Sequence, residues 1–503
     1  MAMQYLIPEA QELRIVTKLD QVTVTLKDRT CECFGAELAL DAEYTLPPDQ
    51  SIALFSWEGC TVNVKGKPDS IYIAPAPCMQ EYQNIHWALE TMREQAKETD
   101  TYGPRAIIIG PSDSGKSTLA TILLNYAVKM GRTPLFIDLD IGQGVISPPG
   151  TIAASVIKRQ VDIEESAVKF ENPVIFYYGF VDARPNFPRL HSLIQRLGEV
   201  IEAKMAMDPA IKYSGCIINT CGWVEEEGRE LQLASVVSLR SNVIINLGLD
   251  SLAVFMKEKT AAHADEMFYK FEENSTASAE ETKKCLFPKD DIFVYTAQRS
   301  GGVSNRRTQQ RQAARSRRFL SFFYGPHREL TSYTTTIKVT QMQLFQVVKK
   351  VETSSMAPLT GQKAQVDLRC LTAVPPSDFW KFENSVAAVL VPPKIEKKAS
   401  HQESSSSSAS SSSTPSSSTT PSVQLQPLTA ETLGLQPPFT ETTWMTVQSF
   451  RSIVGLVVFL SVKDGIVTLL MPAPGHPPST TFLVGDLKWV DEVLKRKMDE
   501  ESM

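Results

Sequence analysis

The sequence predicts an α/β protein: a central parallel sheet of the phosphate-loop (P-loop) type with helices on both faces, between a small β-rich N-terminal domain and a further C-terminal domain. Three observations predict it. Gly110-Pro111-Ser112-Asp113-Ser114-Gly115-Lys116-Ser117-Thr118 is a G-x-x-x-x-G-K-[ST] string between an apolar β-branched run, Arg105 to Ile109, and a helical pattern, Leu119 to Lys129, closed by Gly131. Residues 105 to about 325 alternate strand-like runs with helical stretches. Residues 1 to about 100 instead alternate apolar and polar residues in short runs.

Composition bounds the rest. The 503 residues suit about three domains on the usual length prior. A net charge of −6 gives no global signal for polyanion binding, so any nucleic-acid affinity must come from a local basic patch. Met1-Ala2-Met3-Gln4 opens no basic and apolar leader, and the most apolar run, Ile453 to Val462, is too short to span a bilayer. The eight cysteines show no zinc-ligand spacing; Cys31, Cys33, Cys216 and Cys221 read as small core residues. The expectation is a soluble, intracellular, reduced protein with no membrane partner.

In chain order, Leu13 to Val16, Val22 to Leu26, Ser51 to Phe55 and Cys60 to Val64 are separated by turn residues such as Asp28-Arg29 and Pro47-Pro48-Asp49, the pattern of an antiparallel sandwich or barrel. A helix follows from Met79 to Gln95, with Trp87, Leu89 and Met92 among its apolar positions, and Gly103-Pro104 closes this first domain (1–100). The second domain (101–325) places strands at 105–109, 134–139, 173–178, 215–219, 242–247 and 292–295, and helices at 191–207 and 226–239. Its charged, weakly periodic stretch at about 257–290 reads as an insertion. The third domain (326–503) turns β-rich again. Its serine tract, Ala399 to Pro421 within a loop of about 396–425, cannot bury a core and is expected to be disordered.

The loop string specifies chemistry. Its glycines let backbone N–H groups point inward around phosphate oxygens, with the helix N-terminus adding partial positive charge. Lys116 would reach the β/γ-phosphates and the Ser117 hydroxyl would hold Mg²⁺, so Gly110, Ser112, Asp113, Ser114, Gly115, Lys116, Ser117 and Thr118 are the candidate ATP-binding set. The next strand ends Asp138-Leu139-Asp140, two acids on one side of a strand; one can organise Mg²⁺ and take a proton from an acceptor hydroxyl. An N-K-x-D base-recognition string is absent after the loop, and Thr17-Lys18-Leu19-Asp20 precedes it, which argues against a GTPase.

Asn219-Thr220-Cys221-Gly222-Trp223 follows a buried strand, where ligands bind in open α/β sheets. Trp223 is either a stacking platform for a nucleobase or a core tryptophan. Arg299 to Arg318 carries seven arginines and no acid, and a helix would put Arg311 and Arg315 on one face with Arg307 a turn earlier. This reads as a lid stabilising charge on a transferred phosphoryl group, or as a solvated basic helix.

The chain resembles the polyribonucleotide 5′-hydroxyl kinase subunit of the pre-mRNA 3′-end cleavage complex, cleavage factor II. The resemblance rests on Glu12-Leu13-Arg14, Phe34 to Leu38, Trp57-Glu58-Gly59-Cys60, Gly110 to Thr118, Leu124 to Ala127, Leu139 to Gly144, Gly150-Thr151, Ile218 to Trp223, Ser300 to Val303, the arginine segment and Phe323-Tyr324-Gly325. It implies a β-rich domain, a central P-loop kinase domain and a C-terminal α/β domain, with transfer of the ATP γ-phosphate to the 5′-hydroxyl of RNA. By resemblance, Lys116 and Ser117 hold phosphates and Mg²⁺, Asp140 activates the acceptor and assists with the metal, and Glu12 contacts adenine. Gln143, Thr220, Gly222 and Trp223 form an RNA clasp, Arg311 and Arg315 form the catalytic lid, and Arg306 belongs to its RNA side. The implied partners are the large cleavage-factor II subunit that binds the RNA polymerase II tail and, in animals, the tRNA-splicing endonuclease; the implied location is the nucleus.

The chain departs from its relatives at Phe180 to Asn186, where Asp182 puts negative charge near the expected path of RNA. Two rivals to an active kinase follow from the same motifs. One is a catalytically silent scaffold locked by ATP; the other is a small-metabolite kinase, against which Trp223 and the basic lid argue.

Overall fold

The computed structural model describes residues 2–262, 269–271, 283–285, 292–349, 371–390 and 452–490, apart from short stretches at 19, 47–49, 77, 162–169, 171 and 326–327. The serine tract and most of the 257–290 insertion lie outside the described residues.

The N-terminal alternation folds as two antiparallel sheets. One orders Ala2–Ile7, Cys60–Lys65, Val22–Leu26 and Glu43–Leu46; the other orders Ala36–Glu37, Glu32–Cys33, Gln50–Ser56, Gln11–Thr17 and Ser70–Pro75. Period-two patterning sends Leu13, Ile15, Val22, Val24, Leu54, Val62 and Val64 into one core, together with Cys31, Cys33 and Cys60. The helix after it runs Cys78–Glu98 and buries Met79, Tyr82, Ile85 and Leu89. Trp87, expected on that face, is instead half exposed, because positions 82, 85/86, 89, 93 and 96 define the inward stripe.

The central sheet orders Val174–Tyr177, Thr151–Val156, Leu135–Asp138, Cys216–Asn219, Arg105–Ile109, Val243–Leu247 and Phe293–Ala297. The last five are mutually parallel, as their continuous apolar runs require. The first two run antiparallel to their neighbours, so the sheet is mixed at that edge, and Thr151–Val156 is a strand the pattern reading missed. The connection from Asp138 to Thr151 holds no helix, and a return without a crossover helix forces antiparallel pairing. The helix Lys116–Lys129 packs beneath Cys78–Glu98, while Phe187–Met207 and Glu227–Ser238 pack against each other on the core of the other face. The helix Asp250–Ala262 carries regular structure through the start of the stretch expected to be inserted.

The described part of the C-terminal region is a seven-stranded sheet ordered Tyr333–Lys338, Ile466–Met471, Gly455–Lys463, Ser385–Leu390, Thr481–Lys488, Gln343–Val347 and Leu371–Ala373, with short 3₁₀ turns. One face shares a core with the central sheet through Val386, Ala388, Val458, Leu483 and Leu487. Tyr177 ties the two together: its hydroxyl donates to Val386 O at 2.8 Å and accepts from Gly485 N at 3.0 Å, fully buried. Tyr177→Phe leaves both backbone groups unpaired in the interior and should lower stability by about 2 kcal/mol. Urea unfolding checks this; a midpoint equal to wild type contradicts it.

Candidate functional site

The five parallel strands end on one side, and that edge carries the phosphate loop, both acids, Asn219-Thr220 and the entry to the arginine segment. Lys116 opens the loop helix. It is 6% exposed, and its Nζ donates to Gly110 O at 2.9 Å and Pro111 O at 2.7 Å. Burial pulls its ammonium below the ordinary lysine range and Asp140 pulls it back. Ser114 is buried, and its Oγ has no partner among the described residues, an unsatisfied polar group inside a loop shaped for phosphate oxygens. Ser117 and Thr118 are half buried at the helix start, and Ser112 is exposed.

The two acids divide their work. Asp138 is buried and acts internally: its Oδ1 accepts from Asp140 N at 3.1 Å and Asn219 Nδ2 at 3.0 Å, and its Oδ2 accepts from Val145 N. Burial and the neighbouring Asp140 push its carboxyl up to about 6. Asp140 is half buried at the opening, with Oδ1 taking Gly142 N and Gln143 N at 3.0 Å each. Its Oδ2 accepts no hydrogen bond from the described residues.

The arginine segment forms the helix Thr308–Tyr324. Arg311 Nη2 reaches Asp113 Oδ2 at 2.7 Å, Arg306 N donates to the same oxygen at 2.9 Å, and Arg299 Nη2 donates to Asp113 O at 2.9 Å. Burial alone would raise the Asp113 carboxyl; the Arg306 N–H and the Arg311 guanidinium hold it below the ordinary aspartate value. Arg315 Nε donates to Gly142 O at 3.1 Å, and Arg318 donates to Gly144 O and Val145 O at 2.8 and 2.5 Å. Arg311, Arg315 and Arg318 recur at helical spacing, so one face of the lid spans the phosphate loop and the acid loop. Gln143 Nε2 lies 3.5 Å from Arg311 O, between the two.

Gly222 explains how the Trp223 segment meets the phosphate loop. A Cβ at Gly222 would stand 2.4 Å from Ser112 N and 2.2 Å from Ser112 Oγ, so the two backbones touch. Trp223 is half buried and edge-on to Phe187 at 6.5 Å, with the Arg184 guanidinium 5.5 Å over its ring. Arg184 also pairs with Asp182 at 3.0 Å, which offsets the negative charge expected to disturb that loop.

Lys116, Asp113, Asp140, Gln143, Gly222, Trp223, Arg311 and Arg315 therefore converge. Thr220 stands apart: it is 1% exposed and its hydroxyl donates to Ile108 O at 2.8 Å, bracing the strand ends beneath the loop. The Arg306 side chain is exposed, its backbone making the lid contact. Glu12 is 3% exposed and bonded to Arg14 Nε at 2.5 Å. Through Arg14, which lies against Gly301 and Gly302, it stands at the seam between the N-terminal sandwich and the site. Cys31, Cys33, Cys60, Cys78 and Cys216 are buried free thiols. Sequence reading placed Arg299 and Arg318 in the basic segment and Asn219 at a strand end without giving any of them a role; the i, i+4, i+7 spacing from Arg311 could have assigned Arg318, whereas nothing in the sequence links Arg299 to Asp113.

Comparison with known proteins accounts for this arrangement. Residues 6–96 match the N-terminal beta-sandwich domain of polyadenylation factor, and residues 110–284 match the mRNA cleavage and polyadenylation factor CLP1 P-loop. A protein CLP1 homolog of Aedes aegypti is 34% identical over 71% of this chain and 78% of its own length. The chain belongs to the CLP1 family. A family member from Xenopus tropicalis named polyribonucleotide 5′-hydroxyl-kinase Clp1 is 32% identical over 73% of this chain and 78% of that one. One of the same name from Macaca fascicularis is 27% identical over 95% of each. A solved wild-type Clp1p–Pcf11p complex shares the fold, with TM-score 0.69 and 20% identity over 98% of this chain and 99% of that one.

Gly222→Ala should push Ser112 and with it the phosphate loop, lowering ATP affinity by about tenfold or more with little change in thermal midpoint, since Gly222 lies in the half-buried loop after Cys216–Asn219 and outside the sheet core. Titration of a fluorescent ATP analogue measures it, and wild-type affinity contradicts the packing argument.

Proposed function

We propose that this CLP1-family chain is an ATP-dependent polynucleotide kinase that transfers the γ-phosphate of ATP to the 5′-hydroxyl of RNA. The observation that carries this is the lid: Arg311 is held to the phosphate loop by Asp113 while Arg315 is held to the loop of Asp140. One helix thus places guanidinium groups over both the donor phosphates and the acceptor acid. In the reaction the 5′-oxygen attacks the γ-phosphorus, the bond to the β,γ-bridging oxygen breaks, and the hydroxyl proton passes to the Asp140 carboxylate. Lys116 and the inward N–H groups of the loop hold the leaving diphosphate, and Arg311 and Arg315 take up charge on the transferred group.

A hydroxyl at Ser117 and the unbonded oxygen of Asp140 are hard oxygen donors suited to Mg²⁺ beside phosphate oxygens, and these two residues would hold it. The metal would supply charge neutralisation there. Trp223 and Gln143 bind the first nucleotide; Gly222 keeps the Trp223 segment against the phosphate loop, and Gln143 stands beside Arg311 of the lid. Glu12 takes adenine at the seam.

The large cleavage-factor II subunit is the proposed partner; solved complexes of a related Clp1p with Pcf11p support it. A nuclear location, action in mRNA 3′-end processing, a tRNA-splicing role and association with the tRNA-splicing endonuclease belong to the same proposal. The three-domain division at about 100 and 325 does as well. A nucleotide-locked scaffold is the alternative, favoured by Arg14 lying between the sandwich and Gly301-Gly302 beside the loop.

Incubation of purified chain with labelled 5′-hydroxyl RNA, ATP and Mg²⁺ tests the choice. The kinase predicts 5′-phosphorylation, lost by more than about a hundredfold in Lys116→Ala and Asp140→Asn, with Asp140→Asn keeping ATP binding. Tight nucleotide without turnover in the wild type would leave the scaffold.

A further inference from the structure

The site is built from N-terminal and central segments, yet one short stretch of the C-terminal sheet touches three of its parts. Gly485 lies on Gly179, at the root of the loop carrying Asp182 and Arg184. A Cβ on Gly485 would be 2.1 Å from Gly179 O, and Asp486 N donates to that same oxygen at 2.9 Å. Leu487 packs over Gly150, whose N–H donates to Ile141 O in the acid loop at 2.7 Å. Trp489 stacks on Phe323 of the lid helix at 5.3 Å and 6°, and leans on Phe319 at 5.8 Å. Its Nε1 donates to Ser316 Oγ at 3.2 Å, next to Arg315. Phe319, Phe323 and Trp489 are all 5% exposed or less.

We propose that Gly485–Trp489 is a strut that sets the lid helix, and that Trp489 is a positioning residue for phosphoryl transfer. The polar ties on the lid's other side are partly exposed: the Arg311 side chain keeps 35% of its surface in water. Such ion pairs are weak and reversible, whereas three interlocked buried rings fix an orientation. The apolar end sets the angle of the helix, and the arginines at its other end register on Asp113 and Gly142. A displacement of about 1 Å in a charge-stabilising group is enough to slow a phosphoryl transfer severely. The catalytic consequence rests on the kinase reading, but the placement of the lid does not.

The test compares full-length wild type, Trp489→Leu, Trp489→Phe and, as a control, Trp380→Leu, whose ring is 59% exposed. Two readouts are taken: trypsin cleavage at Arg311, Arg315, Arg317 and Arg318 by mass spectrometry, and steady-state kinetics on 5′-hydroxyl RNA. Trp489→Leu should raise lid cleavage and lower kcat, each by about tenfold or more, with KM for ATP within about twofold. Trp489→Phe keeps the ring stack and loses the Nε1–H donor, so it should recover most of both and leave a two- to fivefold residue, roughly the value of one hydrogen bond. Trp380→Leu should change neither. Should wild type leave RNA unphosphorylated, the kinase reading fails while the cleavage arm still decides the strut. A Trp489→Leu chain with wild-type cleavage and kcat overturns it. If that chain does not fold, Trp489→Phe alone decides, and unchanged lid cleavage overturns it.

Discussion

The site depends on one carboxylate, Asp113. It stands inside the loop that cradles phosphates, and it is also where the lid docks: Arg306 N and the Arg311 guanidinium share its Oδ2, and Arg299 takes its carbonyl oxygen. The arginine helix is therefore registered on the phosphate loop itself, so that a shift in one is a shift in the other. The tie is partly exposed, and ion pairs of that kind contribute about 0–1 kcal/mol. A tie of that strength opens and recloses more readily than a buried pair.

The opposite choice is made beneath it. Asp138 is fully buried, and its charge is tolerated because backbone N–H groups, Asn219 and the Arg318 guanidinium surround it. It closes the acid loop into one shape and so fixes where Asp140 points. Arg318, bonded to the carbonyls of Gly144 and Val145, joins that rigid base to the lid helix. Two acids two residues apart, one ending its strand and one in the loop after it, thus serve different ends. One is a structural anchor kept from water, and the other is left open with an oxygen to spare for chemistry.

Much of this was legible in the sequence because it is local. The phosphate loop, its strand and its helix are one contiguous stretch, and the lid arginines recur at helical spacing within one element. The sandwich followed from period-two alternation. What failed was what depends on direction or distance. Thr220 can turn its hydroxyl toward a ligand or toward the neighbouring strand, and residue type does not distinguish these; the backbone of Ile108 took it. Of the two antiparallel edge strands, Val174–Tyr177 was expected and Thr151–Val156 was missed, because no helix precedes it to mark a crossover. Trp489 was unreadable for another reason: its partner Ser316 is 173 residues away, and no periodicity links them.

The most direct test of convergence is a crystal structure of this chain with a non-hydrolysable ATP analogue, Mg²⁺ and a short 5′-hydroxyl RNA. The account predicts the terminal 5′-oxygen within about 3 Å of the Asp140 carboxylate, in line with the γ-phosphate beneath Arg311 and Arg315, with the first base against Trp223. An RNA end bound away from Asp140, or a Trp223 ring buried and untouched by the base, would contradict it.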